Sequence, residues 1–134
     1  MSEDEARQWL QHFAVTVDAK DLGAHLAMIS RGVRVLGVPG FDALGYDDWE
    51  RQAGHELAEG ILDSVRYGGL SVRARTKGSA MFKTREIVRA TDGTVDDNAV
   101  EMLVQQEDDG QWRLTQQRVL DEDEAEHNHR QGGY

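Results

Sequence analysis

Residues 65–120 read VRYGGLSVRARTKGSAMFKTREIVRATDGTVDDNAVEMLVQQEDDGQWRLTQQRVL. Four runs rich in Val, Thr, Phe and Tyr, at 65–75, 80–91, 95–107 and 111–120, are separated by Lys77-Gly78, Asp92-Gly93 and Asp109-Gly110. Glycine adopts positive φ without a Cβ clash, so Asp-Gly between two such runs signals a hairpin. The stretch is therefore a meander of long antiparallel strands. Alternation assigns the faces: Val100, Met102 and Val104 share one side of their strand, with Glu101, Leu103 and Gln105 on the other. Phe82, Thr84, Glu86 and Val88 likewise share a face, opposite Lys83, Arg85, Ile87 and Arg89.

Upstream, the hydrophobic period lengthens from two to between three and four. Ser2 and Glu5 have capping-box spacing, and Ala6, Trp9, Leu10, Phe13, Ala14 and Val17 follow as one apolar stripe of a helix. Asp21 is placed to cap a second, shorter helix carrying Leu22, Leu26 and Ile29, with Gly32 as its stop. Val33–Val38 reads as a short strand, broken by Pro39-Gly40. A third helix is expected from Tyr46 to Gly60, with Trp49, Ala53, Leu57 and Ile61 on one face and Asp47, Asp48 and Glu50 near its positive end. The fold class is α+β: three N-terminal helices packed on a strongly curved mixed or antiparallel sheet, with a conical cavity between the layers. Residues 1–121 form a single domain, and 122–134 are expected to be a disordered acidic and polar tail.

Composition narrows function. The chain has 134 residues, 25 Asp+Glu against 15 Lys+Arg, and a net charge of −10. Such a charge repels phosphate backbones and anionic bilayers, so neither nucleic acid nor membrane is expected as a partner. Cysteine is absent, which removes disulfides, thiolate metal sites and Cys nucleophiles. No apolar run approaches the about 20 residues of a membrane span, and the acidic start Met1-Ser2-Glu3-Asp4-Glu5 is unlike a signal peptide. A cytoplasmic location is the expectation.

From Glu5 to Leu120 the order of elements resembles the nuclear transport factor 2-like superfamily of SnoaL-like proteins, polyketide cyclases and steroid isomerases. The residues that carry the resemblance are Phe13-Ala14-Val15-Thr16-Val17-Asp18 leading to Val33-Arg34-Val35-Leu36, then Gly45-Tyr46-Asp47-Asp48-Trp49, and the closing hairpin Glu107–Leu114. Matching to the steroid isomerases puts Phe13, Gly37 and Met102 where those enzymes hold a tyrosine, an aspartate base and a protonated aspartate. None of the three can move a proton or donate to an enolate, so that mechanism does not carry over. The same matching implies that Val100, Met102, Val104, Thr115, Gln117 and Val119 point into the cone, and that the second helix lips its mouth.

Chemistry must then come from elsewhere. Glu86, on the face of Phe82 and Thr84, is a carboxylate facing the cavity, where burial raises its pKa toward general acid or base work. His25 is the second catalytic candidate and the best of the five histidines, since His127 and His129 lie in the tail, His12 borders the first stripe and His55 lies off the third. Trp9, Phe13, Phe41, Tyr46, Trp49, Phe82 and Met102 are candidate pocket walls for a flat hydrophobic ligand, with Thr115 and with Gln117 to orient a ligand carbonyl. No histidine pair has metal-ligand spacing, no Gly-rich phosphate loop or Gly-x-Ser-x-Gly elbow is present, and neither metal nor cofactor is expected. Arg73, Arg75, Arg85 and Arg89 are expected to pair with Glu101 and Glu107 on the outer sheet face, within or between subunits of a homodimer. Three readings follow: a binder of a small hydrophobic molecule, a cofactor-free isomerase, cyclase or dehydratase using a pocket carboxylate or histidine, and a non-catalytic homodimeric interaction module. An enclosed volume of roughly 300 Å3 with convergent polar groups favours the first two over the third.

Overall fold

The computed structural model describes residues 1–120; the expected tail lies outside the described residues. The order of elements is α1 (Glu3–Asp18), α2 (Leu22–Ala27), β1 (Ile29–Leu36), α3 (Tyr46–Ala58), β2 (Leu62–Thr76), β3 (Ser79–Ala90), β4 (Val95–Gln106) and β5 (Trp112–Val119). The capping box forms as expected: Glu5 N donates to Ser2 Oγ and Ser2 N to Glu5 Oε1. Asp21 caps α2 by accepting from Ala24 N at 3.0 Å. That helix is shorter than its apolar spacing suggested. Ile29 and Gly32 belong to β1, not to the helix, because Leu114 N bonds Met28 O and draws the chain into the sheet one turn early.

The five strands are ordered β1-β5-β4-β3-β2, with β1 parallel to β5 and every other pair antiparallel. Strand β2 shifts register against β3 at three places, each leaving an extra residue on β2. Extra residues bend a strand and increase its twist, so β2 wraps around α1. One of these bulges falls at Gly68-Gly69, where Gly69 takes φ +71° and its carbonyl accepts from Thr84 Oγ1 at 2.6 Å. The core lies between sheet and helices: Phe82, Val100, Met102, Val104 and Leu114 are fully buried against Ala6, Leu10 and Phe13. No helix of the described residues is long and apolar enough to cross a membrane.

On the outer face the cations find other partners than expected. Arg85 pairs with Asp97 at 2.6 Å, Glu101 is met by Lys83 and Arg118, and Glu107 is held by Arg113.

Candidate functional site

Sheet curvature leaves a partly open cavity of about 230 Å3. Its apolar walls come from Phe13 and Val17 of α1, Trp49, Ala53 and Leu57 of α3, and Leu62, Val65 and Val88 of the sheet. Leu44 closes one side because the 37–45 loop folds back on β1, with Val35 and Leu44 exchanging both backbone hydrogen bonds at 2.8 and 3.0 Å. The volume is below the about 300–1,000 Å3 of drug-sized sites. It exceeds the 150 Å3 or so that holds benzene in an engineered apolar cavity.

Two groups of polar side chains face this space. The first belongs to the helices. Trp49 Nε1–H donates to His25 Nε2 at 3.0 Å, so Nε2 is an acceptor and the imidazole is neutral with its proton on Nδ1. Nδ1 then donates to Thr16 Oγ1 at 3.1 Å, and the Thr16 hydroxyl donates to Phe13 O at 2.7 Å. Every polar atom of the chain Trp49–His25–Thr16–Phe13 has a partner. Burial pushes the imidazole pKa down to about 4, which keeps it in this neutral form. The Phe13 ring stacks on Trp9 at 5.0 Å between centroids and lies 4.8 Å from that of His25. His25 therefore lines the cavity as expected, but its acceptor lone pair is taken by Trp49 and it is built to hold a wall.

The second group belongs to the sheet. Tyr67 and Glu86 face each other across β2 and β3, and the Tyr67 hydroxyl donates to Glu86 Oε2 at 2.8 Å. Desolvation raises the Glu86 carboxyl above its ordinary range; the Tyr67 hydrogen bond opposes that shift and the nearby Glu56 adds to it. The Tyr67 hydroxyl is held well above its own usual value, by burial first and by the adjacent carboxylate second. Gln117 of β5 is 6% exposed, and its Oε1 has no hydrogen-bond partner among the described residues. An unpartnered buried acceptor costs about 1–3 kcal/mol. Here it borders a space whose walls are mainly apolar, with Glu86 and Tyr67 as polar neighbours on the lining.

Of the eleven site residues read from the sequence, the structure brings Glu86, His25, Phe13, Trp49 and Gln117 together on the cavity. The other six stand elsewhere. Trp9 is packed in the core with its indole N–H on Trp112 O, and Phe82 and Met102 are fully buried there too. Phe41 is 60% exposed, because Pro39-Gly40 carries the loop tip away from the sheet. Tyr46 receives the Arg31 guanidinium on its ring face, 4.6 Å from the centroid. Thr115 is the extra residue of a bulge on β5: Leu103 pairs with Gln116 but Val104 with Leu114. The bulge sends Leu114 and Gln117 inward, and the Thr115 hydroxyl turns to Leu103 O.

Tyr67 and the acidic stripe of α3 escaped the sequence reading. Tyr67 follows buried Val65 by two residues, the one signal that points to it, but the three bulges of β2 blur the alternation around it. Asp48, Gln52 and Glu56 recur every four residues beside the Trp49–Ala53–Leu57 stripe, and Gln52 donates to Glu56. Among the described residues no group of three or more His, Asp or Glu is arranged to hold a metal ion.

The position matched to the isomerase base is also explained. Gly37 has φ +81°, and a Cβ there would lie 2.3 Å from Val119 O, so no side chain fits.

An α+β cone of this topology, with its cavity between helices and sheet, is the NTF2-like fold. The chain superposes on an NTF2-like protein of unknown function from Shewanella oneidensis MR-1 with a TM-score of 0.73 and 16% identity, covering 90% of this chain and 100% of that one. A second such protein of unknown function, from Pseudomonas putida KT2440, gives 0.69 at 13% identity, over 87% and 84% of the two chains. ActVI-ORFA from Streptomyces coelicolor gives 0.66 at 12% identity, over 90% and 96%. No family model and no curated protein matches the sequence.

Proposed function

We propose that this chain binds one small, largely apolar molecule carrying an O–H or N–H group, in the cavity between α1, α3 and the sheet. The observation that supports it is Gln117 Oε1: a buried acceptor on a mainly apolar cavity, with no partner among the described residues, is satisfied by a ligand that donates. Titration with 2-naphthol, 2-methoxynaphthalene and naphthalene, followed by isothermal titration calorimetry, tests this reading. The donor-bearing 2-naphthol is expected to bind about 5- to 150-fold more tightly than the other two, the span that corresponds to about 1–3 kcal/mol. In Gln117→Leu that preference disappears. Absence of saturable binding, or a preference that survives in Gln117→Leu, refutes the reading.

The Glu86–Tyr67 pair favours a second reading on the same site, a cofactor-free enzyme of the isomerase, cyclase or dehydratase kind. A carboxyl with a raised pKa beside a donor hydroxyl takes up a proton in one step and returns it in the next. Glu86→Gln keeps the shape and removes the titrating group. Turnover that survives the substitution excludes Glu86 as the acid or base.

A further inference from the structure

The charged side chains on the cavity between α1, α3 and the sheet are all of one sign. Asp48 and Glu56 of α3 and Glu86 of β3 stand on its lining, and among the described residues no Lys or Arg does. The one basic side chain there, His25, is pushed down to about 4 by burial and is neutral at pH 7.

The three carboxyls are not alike. Asp48 is already engaged: Gly45 N donates to its Oδ2 at 2.9 Å, and Arg51 pairs with its Oδ1 at 3.3 Å. Glu86 accepts from the Tyr67 hydroxyl and Glu56 from Gln52, both neutral donors, and neither glutamate is paired with a Lys or Arg of the described residues. The two glutamates also act on each other. Burial does most to raise the Glu86 carboxyl, the Tyr67 hydrogen bond opposes it, and the charge of Glu56 adds to the rise. Buried carboxylates are ordinarily paired, and a like charge nearby makes ionisation costlier still. A cation entering the space relieves both costs.

Gln117 points the same way independently. Its Oε1 is buried on the same lining and has no donor among the described residues. The donors that border the cavity are spent, with the Trp49 indole N–H on His25 and the Tyr67 hydroxyl on Glu86. Acceptors on α3, β3 and β5 therefore face a space that offers them little in return. An ammonium group brings a positive charge and several N–H donors and accepts nothing, whereas a carboxylate or phosphate ligand would meet lone pairs and like charge.

We infer that the ligand of this cavity is a cation: a small apolar amine bound as its ammonium, with the charge met by Glu86 from β3 and Glu56 from α3. This rests on the binding reading given above and narrows it from any donor-bearing molecule to one class.

Benzylamine, benzyl alcohol and benzoate share one ring and differ in charge. In calorimetric titrations of the full-length chain at pH 7, benzylamine is expected to bind about tenfold or more tightly than benzyl alcohol, since hydrogen bonds to charged groups are the stronger ones. Benzoate is expected not to bind. The advantage of the amine over the alcohol shrinks in Glu86→Gln and, to a lesser degree, in Glu56→Gln. A general attraction of cations to a chain of net charge −10 would survive either single substitution, so an advantage unchanged in both overturns the inference. Benzyl alcohol or benzoate binding as tightly as benzylamine to the unaltered chain overturns it as well, and leaves the donor-to-Gln117 reading standing. Failure of all three to bind saturably overturns both.

Discussion

The helix wall and the sheet wall of the cavity use similar residues to opposite ends. On the helix side Trp49, His25 and Thr16 pass hydrogen bonds along a chain that ends on Phe13 O, and no polar atom of it is left over. On the sheet side a carboxyl sits in a desolvated place with one hydroxyl donor, and Gln117 Oε1 has none. A satisfied buried network rigidifies its surroundings; an unsatisfied group calls for a separate explanation. Polar residues around a pocket are therefore not equivalent evidence of function. The ones with partners hold the shape, and the ones without are where the proposed ligand would donate.

The largest expected effect is at Phe13, whose ring meets those of Trp9, His25 and Trp49. Phe13→Ala is expected to lower the unfolding free energy by about 3–5 kcal/mol, the cost of a large-to-small change in a core, read from urea denaturation. A loss below 1 kcal/mol would mean that the stack with Trp9 and His25 carries little.

Next in size is a dependence on pH. His25 binds its proton at about 4 in the fold and near 6.5 when unfolded, so its neutral state stabilises the fold above pH 6.5 and that contribution is lost as pH falls toward 4. A shift of this size is worth roughly 3 kcal/mol. The stability lost between pH 7 and pH 4 is expected to shrink by about that amount in His25→Gln. Glu86 runs the other way. Its raised pKa stabilises the fold below the ordinary carboxylate range, and that contribution is lost as pH rises through the elevated value.

Gln117→Leu sharpens the contrast between walls. Removing an acceptor that has no partner is expected to raise the unfolding free energy by about 1 kcal/mol, whereas any non-polar replacement of His25 lowers it. If both substitutions destabilise equally, the distinction between the walls fails. Smallest is the effect of Tyr67→Phe. It deletes the hydrogen bond that holds the Glu86 pKa down, so the carboxyl is expected to titrate still higher, as carbon-detected NMR of the Glu86 side chain would show.

Most of the architecture was legible because period and punctuation agreed. Asp92-Gly93 and Asp109-Gly110 fix two hairpins, and strict alternation in β3 and β4 put Glu86 inside with Phe82 and Thr84. What escaped reading was set by single residues that alternation does not encode. One extra residue at Thr115 reverses the faces before it, and three extra residues in β2 hide Tyr67. Aromatic spacing on α1 identified buried rings without telling core from cavity: Trp9 and Phe13 lie on one stripe, yet only Phe13 reaches the open space. Nor does a sequence display satisfaction. That His25 is saturated and Gln117 is not depends on contacts 9, 24 and more residues apart.

The glycine at 37 bears on any attempt to redesign the chain. Grafting an isomerase-type aspartate there drives a β-carbon into the Val119 carbonyl, so a new base cannot enter from the end of β1. Glu86 stands three strands away, about 14 Å at the usual strand spacing. A catalyst built on this scaffold would therefore have to draw its acid or base from the β2–β3 side of the cavity, where Tyr67 and Glu86 already stand.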